Sequence, residues 1–260
     1  MAYSLGIDAG GTYTDSILIR NSDGEVIGSN KSLTTYPDLL DGIMNSIDGL
    51  NQEKLKLVTL VSVSTTLATN TILEKTGYPV GLILVGNYEI PEDSEIENCI
   101  MVQGGHDSRG DEVTPLDLSA VESFVLGLKG RVSAFAVSSY FSVRNPEHEL
   151  QIKALIQELT GLPVVCGHEL AQALGAYERG VTAYLNAQLL PVAEGFLKTV
   201  VCEIERRGLE PRIAMLRCDG SVVSMHEAMR KPIESVFSGP AASLLGASYL
   251  SGYETCAVID

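Results

Sequence analysis

Two adjacent glycines set between β-prone runs constrain this chain more than any other feature. Leu5-Gly6-Ile7 leads into Asp8, Ala9-Gly10-Gly11 makes a turn, and Tyr13–Arg20 carries the run Ser16-Ile17-Leu18-Ile19. Such a pattern predicts two short strands joined by a tight turn whose tip lacks Cβ atoms. Asn21-Ser22-Asp23-Gly24 is a second hairpin signal, returning the chain through 25–29.

Beyond the hairpins the pattern alternates. Leu39, Leu40, Ile43, Met44 and Ile47 recur at helical spacing within 37–50, and 57–63 is a buried-strand run. A helix is predicted over about 67–75, stopped by Gly77 and Pro79. Further strands are predicted at 80–85, 134–138 and 163–166, and helices at 118–128 and 147–159. The Gly-rich stretch 104–110 reads as polar loop, and 175–207 as a long helical stretch interrupted near Pro191. Strand signals follow at 213–218 and 222–223. A hairpin start followed by strand–helix alternation implies an α/β fold with a mixed sheet.

The expected division is a lobe over 1–180, then a connecting helix and the opening of a second lobe over 181–260. The ending Ala257-Val258-Ile259-Asp260 repeats Leu5-Gly6-Ile7-Asp8, apolar residues running into an aspartate. The expectation is a chain cut at a second phosphate turn.

Composition excludes several classes. With 45% hydrophobic and 20% charged residues, the 260-residue chain has enough apolar surface to fold without disulfides or structural zinc. A net charge of −15, with no basic run beyond Arg206-Arg207, argues against nucleic acid. The start has no charged and apolar leader pattern, and no apolar run reaches the ~20 residues that span a bilayer. A soluble, cytoplasmic protein with no membrane partner is expected. Cys99, Cys166, Cys202, Cys218 and Cys256 form no paired motif, so reduced and mostly buried thiols are expected. The four histidines, His106, His148, His168 and His226, make no zinc pattern, and no Cys/His metal site is expected.

Asp8-Ala9-Gly10-Gly11-Thr12-Tyr13-Thr14-Asp15 carries the sharpest chemistry. Consecutive glycines permit positive φ and leave backbone N–H groups uncovered, so several can be aimed at one anion. Thr12 and Thr14 stand two apart, which on an extended strand puts both hydroxyls on one face. Asp8, at a strand end, suits a water-held Mg²⁺ or the orientation of a nucleophile. No P-loop, dinucleotide-binding or serine-elbow motif competes with it.

The turn resembles the first phosphate motif of the actin-like ATPase superfamily, and within it the ATP-binding A subunit of the hydantoinase/5-oxoprolinase family. Ordered matches run along the chain: Ser64–Lys75 with its Thr65-Thr66 pair and Asn70, Phe141–Glu149, and Tyr177-Glu178-Arg179 with Leu185-Asn186-Ala187. Cys218-Asp219-Gly220 and Ser238-Gly239-Pro240-Ala241-Ala242 complete the series. Val63-Ser64 stand where the family usually has His-Gly.

The resemblance implies a ribonuclease H-like mixed sheet flanked by helices, here one full lobe and the start of another. ATP and Mg²⁺ would be cofactors, held by Gly10, Gly11, Thr12, Thr14, Asp15, Ser238 and Gly239. Asp8 would be catalytic and would hold the metal through water. It further implies phosphoryl activation and ring-opening hydrolysis of a small cyclic amide such as a hydantoin or 5-oxoproline, completed by a separate B subunit. Some relatives are carboxylase subunits. A fragment holding half the nucleotide cleft is expected to be inactive alone.

Thr65, Thr66 and Asn70 open a helix, so they either contact substrate or phosphate or simply cap. His168 faces either a substrate cleft or ordinary loop structure, and His148 is expected to pin a helix start. Two other functions fit the same residues: a sugar or small-molecule kinase, and a non-catalytic nucleotide-binding or assembly module.

Overall fold

The computed structural model describes residues 1–36, 39–92, 94, 96–252, 255, 257 and 258. The chain opens with β1 (Tyr3–Ala9), β2 (Tyr13–Arg20) and β3 (Val26–Leu33), each antiparallel to the next. Along β1 the odd residues Tyr3, Leu5, Ile7 and Ala9 are buried, while Ser4, Gly6 and Asp8 take the opposite face. The helix α1 (Leu40–Asp48) covers the buried face with Ile43 and Ile47. A single turn, α2 (Gln52–Leu55), is capped by Asn51, whose side chain accepts the Lys54 N–H. Next comes β4 (Val58–Thr65), parallel to β1 with Val61 beside Leu5 and Ser64 beside Asp8. It leads into α3 (Leu67–Leu73).

The following segment builds a parallel sheet. Its elements are β5 (Val80–Val85), β6 (Cys99–Val102), β7 (Gly105–His106), β8 (Glu112–Thr114), α4 (Leu118–Gly127), β9 (Ala134–Ser139), α5 (Glu147–Thr160), β10 (Val164–Cys166) and α6 (Gly167–Leu170). The parallel strands run in the order β10-β9-β5-β6. Every residue of β5 and β9 is buried, as parallel strands covered on both faces require. Val121 and Val125 of α4 and Ile152 and Ile156 of α5 pack into that core.

The stretch 104–110 is not wholly loop. Gly105-His106 forms β7, antiparallel to β8, and His106 is buried beside His148 with ring centroids 4.3 Å apart. His148, in the first turn of α5, ties that helix start to the neighbouring strands. Its Nδ1 accepts the Gly105 N–H at 3.1 Å and its Nε2 lies 2.9 Å from Glu112, so it pins the β7–β8 pair.

The helix α7 (Ala176–Arg206) runs unbroken through Pro191, correcting the expected interruption. A proline deletes one backbone hydrogen bond, whereas burial continues on both sides, through Ala183, Ala187 and Leu189 and then Phe196, Leu197 and Val200. The chain ends with β11 (Arg212–Leu216), β12 (Val222–Ser224), α8 (Met225–Arg230), a 3-10 turn at Pro232–Ser235 and α9 (Ser238–Ser251). β11 lies parallel to β4, with Ile213 opposite Val61, and β12 antiparallel to β11. The completed sheet reads β12-β11-β4-β1-β2-β3. This is the expected ribonuclease H-like mixed sheet flanked by helices, with Phe196, Leu197, Val200 and Ile204 of α7 joining Leu5, Ile7 and Val63 in its core.

The chain divides into two compact units, 1–76 with 190–260, and 77–189. This differs from the expected boundary near 180: residues 212–224 do not open a further lobe but add two strands to the sheet of residues 3–65. Ile259 and Asp260 of the expected repeat lie outside the described residues, as does Cys256. Cys202 and Cys218 are exposed, so the thiols are less buried than expected. Among the described residues no helix is long and apolar enough to cross a membrane.

Candidate functional site

The turn between β1 and β2 is tight because the glycines leave room, not because they twist to positive φ; neither Gly10 nor Gly11 is in that region. A Cβ on Gly10 would lie 2.9 Å from the Tyr13 carbonyl oxygen, and one on Gly11 3.2 Å from Asn70 Nδ2. The Gly10 N–H donates to that Tyr13 carbonyl at 3.0 Å. Thr34 fastens the other side: its hydroxyl donates to the Gly10 carbonyl at 2.8 Å and its N–H to the Thr12 carbonyl at 2.9 Å. Among the described residues no group accepts from the Gly11 or Thr12 N–H. Two adjacent amide donors therefore stand open at an exposed tip.

Two helix starts meet the turn. Thr65 anchors the first: its hydroxyl donates to the Ala9 carbonyl at 3.0 Å and accepts the Leu67 N–H at 3.1 Å. Thr66 holds the N-cap position without a side-chain capping bond, so capping falls to Thr65. The Thr66 N–H donates to Ala9, and its hydroxyl is 3.5 Å from Asn70 Nδ2. Ser238 begins α9, fully buried, with its hydroxyl 3.3 Å from the Thr65 carbonyl. Gly239 lies close enough that a Cβ would be 3.7 Å from Thr66 Cγ2. Pro240 is the third helical residue. Phe237 enters α9 at φ 63°, a strained value for a side chain of this size, and its N–H donates to Thr69 at 3.0 Å. Thus Gly10, Gly11, Thr65, Thr66, Asn70, Ser238 and Gly239 share one neighbourhood.

The face carrying Asp8 opens onto a cavity of about 860 Å³. Asp8 and Asp15 are cross-strand partners on this face. Ser64 donates to Asp8 at 2.6 Å, and Lys31 lies 3.1 Å from Asp15. Lys31 relieves part of the repulsion between facing carboxylates. Oxygen donors of this kind suit a hard divalent cation.

Thr14 departs from expectation. Thr12 precedes β2 and is exposed, whereas Thr14 is 1% exposed and its hydroxyl pairs with that of Thr34 at 3.0 Å. The two hydroxyls do not share a face, and Thr14 braces the turn from within. Ser64, Lys31, Thr34 and Thr69 were not singled out as site residues from the sequence. Lys31 and Thr34 reach the site only through strand register or tertiary packing and no local pattern marks them, whereas Ser64 and Thr69 lie within the matched stretch Ser64–Lys75.

His168 belongs to the unit 77–189, where Glu149 claims it. The fully buried Glu149 carboxylate accepts the Ser139 N–H at 2.8 Å, the His168 N–H at 3.1 Å and a close hydrogen bond from His168 Nδ1. Cys166 lies alongside, so the three could between them offer metal ligands, a cluster that the dispersed sequence positions did not suggest. Burial and the Glu149 charge raise the Cys166 thiol far above its usual range, which keeps it protonated. Arg179, also fully buried, donates to the carbonyls of Ala173 and Ser139 and to the Ser142 hydroxyl.

Comparison with known proteins gives a consistent picture. Residues 4–160 match the hydantoinase/oxoprolinase N-terminal region, and 179–260 the hydantoinase/oxoprolinase model. Caprolactamase subunit alpha of Pseudomonas jessenii is 28% identical over 93% of this chain and 39% of its own length. A chain of the crystal structure of that organism's ATP-dependent caprolactamase superposes with a TM-score of 0.76, at 25% identity, over 96% of this chain and 41% of its own. The acetophenone carboxylase gamma subunit of Aromatoleum aromaticum is 27% identical over 99% of this chain and 41% of its own length. An acetone carboxylase structure, 20% identical, shares the fold with a TM-score of 0.81 over 96% of this chain and 40% of that one. The chain spans about two fifths of the length of these relatives.

Proposed function

The chain belongs to the hydantoinase/oxoprolinase family, and on that premise we propose that it forms the nucleotide-handling part of an enzyme that opens a cyclic amide at the expense of ATP. The observation that carries this reading is the pair of amides at Gly11 and Thr12, unpartnered among the described residues and following the strand that bears the Asp8 carboxylate. Those amides, with the N-terminal end of α9 beside them, supply donors for phosphate oxygens. Asp8, Asp15 and Ser64 supply oxygens for Mg²⁺, which when bound would neutralise phosphate charge.

In the proposed reaction the amide oxygen bonds to the γ-phosphorus while the bond to the bridging oxygen breaks and ADP leaves with its electron pair. The carbonyl carbon is thereby made electrophilic, and water completes the opening. Overall, cyclic amide, ATP and water give the ring-opened amino acid, ADP and phosphate. Positioning and charge neutralisation carry most of such a transfer, so no dedicated protein nucleophile is needed. A partner subunit completing the hydrolysis is part of the proposal, supported by relatives that are themselves named as subunits.

A second reading, phosphoryl activation of a ketone for carboxylation, is favoured by the comparable identity to the acetophenone carboxylase subunit. The test is release of inorganic phosphate from ATP by the native assembly, with and without a cyclic amide. Amide-dependent release of free phosphate supports the proposal. A stable phosphorylated product would instead make the protein a kinase, and absence of Mg-ATP binding would leave only an assembly role.

A further inference from the structure

A second cavity, of about 400 Å³, lies beside the turn, lined by Gly11, Leu67, Asn70, Thr71 and Glu74 among others. Its volume is that of a small-molecule site. Gly11 belongs both to this cavity and to the pair of open amides, so a phosphoryl group held at Gly11 lies at the cavity's edge. An acceptor placed there needs no further carrier.

Resting on the proposed function, we infer that this cavity is the acceptor pocket and that Asn70 selects a neutral cyclic amide within it by paired hydrogen bonds. Asn70 is half-buried and its Nδ2 stands over Gly11. That nitrogen has only a long contact of 3.5 Å to Thr66, and among the described residues its Oδ1 accepts from nothing. A side-chain carboxamide shows a donor and an acceptor side by side. The carbonyl and ring N–H of a cyclic amide, held cis by the ring, show the complementary pair. A ketone of the same size satisfies Nδ2 but leaves Oδ1 desolvated and unpaired, which a built site penalises.

Charge narrows the class further. Among the described lining residues there is one ionisable carboxylate, Glu74, and no lysine, arginine or histidine. A ring bearing its own carboxylate would meet repulsion and no counter-charge. The pocket therefore fits a lactam or hydantoin without an acidic substituent better than 5-oxoproline.

The experiment compares three probes in ATP-dependent phosphate release by the native assembly: ε-caprolactam, cycloheptanone, which lacks the ring N–H, and 5-oxoproline. Expected kcat/KM for the lactam exceeds that for each of the others by at least roughly tenfold. Asn70→Leu brings lactam and ketone within about threefold of one another. Asn70→Ala, which removes the same acceptor with less bulk, narrows the ratio in the same direction and covers the case in which the leucine variant does not fold. Glu74→Gln raises 5-oxoproline relative to the lactam. A wild-type preference for the ketone or for 5-oxoproline, or a lactam-to-ketone ratio unmoved by either Asn70 variant, overturns the pocket while leaving nucleotide activation standing. Phosphate release stimulated by none of the probes overturns both.

Discussion

Ser64 Oγ donates to Asp8 Oδ1 at 2.6 Å, tying β4 to β1 where the parallel register sets the two residues side by side. The hydroxyl fixes which way the carboxylate faces, and Asp15 and Lys31 complete the same wall of the larger cavity. Asp8→Asn is expected to keep the fold and to lower ATP turnover by about a hundredfold or more. Ser64→Ala leaves the carboxylate in place but unoriented, and should lower turnover by roughly 10–100-fold. Steady-state phosphate release paired with thermal melting checks both; an active Asp8→Asn enzyme removes the carboxylate from the mechanism.

The two turn glycines should separate cleanly on substitution. Gly10→Ala drives a Cβ against backbone, the Tyr13 carbonyl at 2.9 Å, and is expected to cost about 1–3 kcal/mol of stability. At Gly11 the obstacle is the movable end of Asn70, so Gly11→Ala should fold almost normally yet weaken Mg-ATP binding by about tenfold. Urea denaturation and calorimetric titration on each variant read the two effects independently.

Glu149 accepts three hydrogen bonds while fully buried, which makes it a structural centre of the unit 77–189. Glu149→Ala strands two backbone N–H groups and is expected to cost about 2–4 kcal/mol. Slow amide exchange at Ser139 and His168 should be lost in the same variant. Retained protection at both positions would contradict the role given to this carboxylate.

His106 sets a pH dependence whose sign follows from its surroundings. Burial, reinforced by the neighbouring His148, holds its pKa below the ordinary histidine value. An unfolded chain takes up that proton near pH 6.5, so between the two pKa values the unfolded state binds more protons. The contribution of His106 is complete above about pH 6.5 and is lost as pH falls towards its folded value. Urea midpoints at pH 7.5 and 5.5 should diverge in the wild type, and His106→Gln should narrow the gap.

The hairpin of β1 and β2, and Asp8 at its mouth, were legible because alternation and a glycine pair are local signals. The expected run over 57–63 likewise overlaps β4 from Val58 onward. Nothing local announces that Ile213 pairs with Val61, since parallel strands meet only through a long crossover. Thr14 was misread for a related reason. Spacing of two places side chains on one face only inside a strand, and Thr12 precedes the strand. Pro191 suggested a break because the hydrogen bond it removes is visible in sequence, whereas the packing that outweighs it is not. Lys31 carries no signature of its own, and strand register gives it its neighbour Asp15.

The sheet that carries Asp8 is finished by strands made long after it. While the ribosome is still extruding residues 77–189, β4 has β1 on one side and nothing on the other. At ordinary synthesis rates that bare edge waits for roughly 7–30 s before β11 emerges. An unpaired strand of this kind recruits other chains. Until β11 emerges, the nascent protein therefore carries along β4 a second bare edge, besides that of β3, open to such pairing.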